Sequence, residues 1–347
     1  MNKIPTDHLQ PAQVAIRCAI GAALATAIAQ ALKLDFPVFA MLAAVISTDL
    51  TPLQGRLLGL RRLFATVIGA VAGMLFSAIL PPTAWSAGIG ILCTMFVTQQ
   101  LNVRSGAKVA AYICAIIVLH YGSASGYYAF YRFTETALGI SIAWLFVFVP
   151  LLFTNEAVEA RRREERERGS PWFRIDDEPT VPKWHVLTMD VQLSLRTALA
   201  ATLAMLISQL LKFDYPIFAG IAAVITTDLS PARSRALGTR RLVTTIIGAG
   251  CGGLMSTVVG ADPWWVGAGI LITMLACQLA GLAEAAKIAA CVCGIVMIMH
   301  GGHPLAFALE RMIETGIGVV VAFAVSYVPK LIKLEDPQSP EAASDVS

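Results

Sequence analysis

Eight pairs of polar residues recur through an otherwise apolar chain, and they carry nearly all of its chemistry. Arg17 and Arg196, Lys108 and Lys287, and Arg62 and Arg241 are cations 179 positions apart. Gln30 and Gln209, and Gln99 and Gln278, repeat at the same distance, as do the carboxylates Asp49 and Asp228 and Glu135 and Glu314. His120 and His300 repeat one residue out of step. An Arg or Lys at the centre of a membrane helix costs about 2.5 to 3.5 kcal/mol on insertion scales, so its presence in both copies points to a buried partner or a water-filled cavity. Arg17, Arg196, Lys108 and Lys287 are expected to line one central cavity and bind an organic anion, with Arg62 and Arg241 drawing it in and the four glutamines donating to its carboxylate. The competing reading is structural: cations snorkelling to the interface or anchoring topology, and glutamines bridging helices. Asp49, Asp228, Glu135, Glu314, His120 and His300 are the groups able to exchange a proton with a transported ion. Glu135 and Glu314 follow Arg132 and Arg311 by three residues, a spacing that also allows a plain ion pair near the outer surface.

The pairs belong to a duplication. Arg17 to Gly139 reappears as Arg196 to Gly318 without a net gap, and FPVFAMLAAVISTDLTPLQGRLLGLRRLFATVIGAVAG is matched by YPIFAGIAAVITTDLSPARSRALGTRRLVTTIIGAGCG. Hydrophobic residues make up 56% of the chain and charged residues 14%, with mean hydropathy +0.69, against about 25% charge in soluble domains. The apolar runs have helical rather than outer-membrane strand length. The fold expected is an all-α polytopic membrane protein of about twelve transmembrane helices, in two parallel six-helix repeats about a pseudo-twofold axis along the membrane normal. Spans are placed at 12–32, 37–50, 62–80, 84–101, 107–121 and 132–153, and again at 191–211, 216–229, 241–260, 264–281, 286–300 and 311–331. This divides the chain into a first repeat over 1–153, a charged cytoplasmic linker over 154–190, a second repeat over 191–331 and a disordered tail over 332–347. Lys and Arg crowd one set of loops, which puts both termini in the cytoplasm of a bacterial-type inner membrane. No removable signal peptide is expected.

Span two is short in both copies, opened by Pro37 or Pro216 and closed by Asp49-Leu50-Thr51-Pro52 or Asp228-Leu229-Ser230-Pro231. Short paired segments of this kind point to a midplane or vestibular site, the alternative being a surface-tilted or half-buried packing helix. Thr51 and Ser230 read as N-caps with proline at the first helical position, leading into a juxtamembrane helix that presents Arg56, Arg61 and Arg62 or Arg235, Arg240 and Arg241. The run Arg161 to Arg168 reads as a solvated helix extension. Gly69, Gly73, Gly248 and Gly252 permit close helix approach and are expected at the seam between halves. The seven cysteines lack metal or redox spacing and read as small buried hydrophobes. No nucleophile elbow, phosphate loop or histidine cluster is present, so no enzyme, cofactor, metal or nucleic-acid partner is expected.

The order of Pro37, Phe39 and Ala40, then T-D-L-T-P, then Arg56, Gly59, Arg61, Arg62, Thr66 and Gly69 resembles the fusaric acid resistance and aromatic acid exporter family. The second copy repeats it at Pro216, Phe218, Ala219, Arg235, Gly238, Arg240, Arg241, Thr245 and Gly248. Its membrane unit is similar to that of plant aluminium-activated malate transporters, six-span subunits paired around a basic anion path. The resemblance implies an inner-membrane exporter of small, aromatic carboxylates, coupled to protons, with lipids and the transported anion as partners and the fused repeats replacing a homodimer. A passive anion channel and a non-transporting membrane scaffold are the alternatives.

Overall fold

Apolar runs punctuated by proline and by left-handed turns fold into twelve α-helices among the described residues, and the computed structural model describes 9–120, 124–146, 183–300 and 302–327. The first six are α1 (Leu9–Ala31), α2 (Pro37–Ser47), α3 (Pro52–Ile79), α4 (Ala84–Gln100), α5 (Ala107–His120) and α6 (Ser125–Leu145). The second six are α7 (Lys183–Leu210), α8 (Ile217–Thr226), α9 (Pro231–Val258), α10 (Pro263–Leu279), α11 (Ala286–Met299) and α12 (Pro304–Ser326). The charged run Arg161 to Arg168, most of the linker and the tail lie outside the described residues.

Helix boundaries follow local chemistry. Proline starts α2, α3, α9, α10 and α12, where its missing N–H and fixed φ do no harm. α1, α4, α7 and α10 all end in the same paired hydrogen bonds, as in Leu34 N to Ala29 O and Lys33 N to Gln30 O. The residue that turns the chain there, Lys33, Asn102, Lys212 or Gly281, has positive φ. Thr51 and Ser230 occupy the cap positions assigned to them, yet neither side chain makes the cap bond. Asp49 Oδ1 instead accepts from Leu50 N at 2.8 Å and Thr51 N at 3.3 Å, and Asp228 Oδ1 from Ser230 N at 3.2 Å.

Two boundaries differ from the sequence reading in a way that matters. The juxtamembrane segment and the third span are one unbroken helix of 28 residues in each half. Without a breaker between Pro52 and Ile79, nothing interrupts the hydrogen-bond ladder. α6 and α12 begin about seven residues before the expected spans, so Arg132 and Arg311 stand two turns inside their helices rather than at the start. Among the described residues four helices are long and apolar enough to cross a membrane, within α1, α3, α7 and α9. α2 and α8, at 11 and 10 residues, are only about 15 to 16 Å long and fall well short of a 30 Å hydrocarbon layer.

Within the first half α2 packs on α6 and α3 on α5 and α6, and in the second half α8 packs on α12 and α9 on α11 and α12. Across the halves α1 packs on α10 and α4 on α7, while α2 meets α11 and α5 meets α8. These cross-contacts exchange when the halves are exchanged, the signature of a twofold relation. The two largest apolar clusters both straddle the halves, one joining α4 and α5 to α7 and α8, the other α1 and α2 to α10 and α11. The glycine assignment therefore needs correcting. A β-carbon on Gly69 would meet the Ala110 carbonyl, and one on Gly248 the Ala289 carbonyl, so these glycines seat α3 on α5 and α9 on α11 inside each half. Gly73 and Gly252 likewise face Ile117 and Cys293 of their own half. Among the described residues the glycines at the seam include Gly88, against Thr202, Gly267, against the Ala19 carbonyl, and Gly294, against Met41. Leu75, Val258 and Leu279 are among the many large apolar side chains on the outside, 61%, 82% and 91% exposed, a surface suited to lipid.

Candidate functional site

The short helices bring their apolar stripes together at the centre. Phe39, Leu42 and Ile46 of α2 and their equivalents Phe218, Ile221 and Ile225 of α8 line a cavity of about 420 Å³, completed by α5 and α11. Spacings of three and four residues put each stripe on one helix face. The walls are aliphatic and aromatic, and polar groups gather at the two ends. Where α2 and α8 finish, Arg62, Arg241, Tyr112 and Cys291 face the space. Where α2 begins, Asp35, His120, Tyr128 and Arg132 do.

Arg62 is 7% exposed, and the buried Nε atoms of both Arg62 and Arg241 have no hydrogen-bond partner among the described residues. A buried guanidinium nitrogen without an acceptor is costly. Both arginines line the same apolar space and make this end of it electropositive.

The other four cations are elsewhere. Lys108 Nζ donates to Ile225 O at 3.0 Å and Thr227 O at 2.8 Å, the last carbonyls of α8 in the opposite half. Lys287 Nζ donates to Thr48 O at 2.5 Å and lies 3.5 Å from Asp49 Oδ2, at the matching end of α2. Arg196 Nη1 reaches Leu229 O at 3.2 Å. Helix C-termini carry partial negative charge and unpaired carbonyls, so a lysine there satisfies both. Arg17, Arg196, Lys108 and Lys287 thus do not line the cavity together, and the expectation that they do is corrected.

The glutamines share a position rather than a pocket. Gln30, Gln99, Gln209 and Gln278 each accept from the left-handed residue that ends their helix through their own backbone carbonyls. The side chains of Gln30 and Gln209 are exposed, and Gln99 Oε1 accepts from Ser194 Oγ at 3.0 Å across the seam.

Arg132 and Glu135, placed by sequence near the outer surface, are interior, 2% and 0% exposed, as are Arg311 and Glu314 at 3% and 0%. Arg132 stacks 3.4 Å over the Phe39 ring and Arg311 3.5 Å over Phe218. Glu135 Oε1 accepts from Phe36 N at 2.7 Å, whereas Glu314 is ion-paired with Arg311. His120 and His300 are not equivalent: the cavity residue matching His120 is Met299, while His300 Nδ1 accepts from Gly302 N at 3.1 Å outside it. Asp228 lies 3.6 Å from Arg233 at the rim.

Sequence reasoning missed two features. Tyr112 and its counterpart Cys291 differ in type, so a search for matched polar pairs passes over them. Asp190 pairs with Arg104 at 3.0 Å between halves, and its counterparts Pro11 and Ala283 cannot repeat the bond. The stacking of Arg132 on Phe39 did have a signal, since an aromatic follows Pro37 and Pro216 at the same distance in both copies.

Helices of spanning length with an apolar exterior, enclosing an apolar cavity with arginines at its end, define a multi-pass helical membrane protein with an internal cavity. The sequence pattern described as Aromatic acid exporter family member 1 matches residues 12–149 and 192–328, both halves. The chain belongs to that family. It is also similar to the UPF0421 protein of Staphylococcus haemolyticus (strain JCSC1435), 33% identical over 122 residues, which is 35% of this chain and 37% of that one. No solved structure matches the chain.

Proposed function

We propose that this protein exports small organic carboxylates, aromatic ones foremost, from the cytoplasm across a bacterial-type inner membrane. The observation that carries this is the apolar cavity between the halves with Arg62 and Arg241 at one end. Charge at the end and hydrocarbon along the walls match an anion with a carboxylate head and a ring body. The volume lies within the range of small-molecule sites, roughly 300 to 1,000 Å³. With the basic loops inside and the twofold axis along the membrane normal, Arg62 and Arg241 sit at the cytoplasmic end and Arg132 at the far end. Glu135, enclosed beside the cavity with Oε2 unpaired, is the group assigned to exchange a proton for the outgoing anion, and lipids fill the outer surface. The fused halves supply both walls, replacing a homodimer.

The test is benzoate flux into liposomes carrying the purified full chain. Arg62→Gln and Arg241→Gln should each lower flux by about tenfold or more, the loss of one charge-assisted contact, and unchanged flux in the double variant would overturn the reading. An imposed pH gradient should drive benzoate uphill, and flux that follows voltage alone would replace the exporter with a channel.

A further inference from the structure

The two copies of the Arg-x-x-Glu step have diverged in what they do. In the second half Arg311 is ion-paired with Glu314, lies 4.9 Å from the Phe307 ring and 5.6 Å from that of Tyr215, and is not among the residues lining the cavity. In the first half Arg132 keeps the stack on Phe39 and lies 5.8 Å from the Tyr128 ring, but makes no ion pair among the described residues. Glu135 has turned instead to the Phe36 N–H. Arg132 lines the cavity, and its Nε and Nη1 are buried without a hydrogen-bond partner. Arg311 also leaves nitrogens unsatisfied, but it is walled off from the space a ligand could reach.

A ring face answers the charge of a guanidinium and leaves its N–H groups without acceptors. We infer that Arg132 is a second anion subsite, at the end of the cavity opposite Arg62 and Arg241, which takes the carboxylate after those two release it. This rests on the cavity being the transport site and adds a second station to it. In its ionised form Glu135 offsets the charge of Arg132, so this station then holds an anion more weakly than the arginine pair. A site from which the anion must leave needs such a weak hold. The single copy matters: one exit subsite on a twofold cavity fixes which wall the departing anion follows.

Titration of benzoate into the purified full chain, followed by calorimetry, separates the stations. The wild-type chain should give two binding events. Arg132→Gln should abolish the weaker event and spare the tighter one, with Arg132→Lys restoring part of it, while Arg311→Gln should leave both. Glu135→Gln, which can still accept from Phe36 N through its amide oxygen, should tighten the weaker event by about tenfold or more, the scale of one charged interaction. That arm decides alone if Arg132→Gln does not give monodisperse protein. A single event that Arg132→Gln leaves unchanged, equal effects of Arg132→Gln and Arg311→Gln, or no tightening in Glu135→Gln would each overturn the inference. If Arg62→Gln removes the tighter event, the cavity reading survives that result, and if it removes nothing, the cavity reading itself falls.

Discussion

Lys108→Met separates anchoring from anion binding. The Nζ group donates to two carbonyls at the end of α8, at 3.0 Å and 2.8 Å. Hydrogen bonds from a charged donor contribute about 1.5 to 3 kcal/mol each, so the gross loss is about 3 to 6 kcal/mol. Methionine has a similar length and removes the desolvation cost of a partly buried ammonium, several kcal/mol in the opposite direction. The carbonyls of Ile225 and Thr227 remain at the negative end of the helix without their donor, so the balance stays unfavourable, by about 2 kcal/mol. At an unfolding entropy of about 2.1 cal/mol/K per residue, 1 kcal/mol shifts a chain of 347 residues by roughly 1.4 °C, so the melting temperature should fall by about 3 °C, read by intrinsic fluorescence of the purified protein in detergent. The tight benzoate event should persist, because Lys108 does not line the cavity. An unchanged melting temperature together with loss of benzoate binding would refute this reasoning and return Lys108 to the anion path.

Gly139→Ala places a β-carbon against the Ala40 carbonyl, which cannot move aside, and should destabilise the protein by about 1 to 3 kcal/mol in the same melting assay. Gly316→Ala on α12, the counterpart of α6, meets nothing within 4 Å and should be neutral or stabilise by up to about 1 kcal/mol. Asp190→Asn weakens the Arg104 pair, which is partly exposed on the arginine side, and should cost about 1 kcal/mol, less at high salt. A reporter fused after Ser347 should score as cytoplasmic, and a periplasmic score would invert the assignment of Arg62 and Arg241 to the inner end.

The duplication, the helical class and the shortness of α2 and α8 were legible because each is written in local sequence: a repeated string, a hydropathy pattern, a pair of prolines. What a buried cation faces is not local. Arg62, Lys108 and Arg132 all look alike as matched cations in apolar surroundings, yet Arg62 meets one end of the cavity, Lys108 meets helix carbonyls of the other half, and Arg132 stacks on phenylalanine at the cavity's opposite end. The glycines of α3 had the right spacing for close approach, but spacing does not say against which helix. Matching the halves helped where both copies kept one role and misled where they diverged, as for His120 opposite Met299.

The lysine clamps also set an order of events during synthesis. Lys108 is already made when α8 emerges, so α8 meets its donor at once. Lys287 follows Asp49 by 238 residues, and at about 5 to 20 residues per second the end of α2 waits roughly 10 to 50 seconds for it. The first half is therefore left incomplete at birth, and the second half is assembled onto a partner whose central helix is still unfastened. Two identical subunits would each wait for the other, whereas the fused chain makes one half the template and the other the finisher.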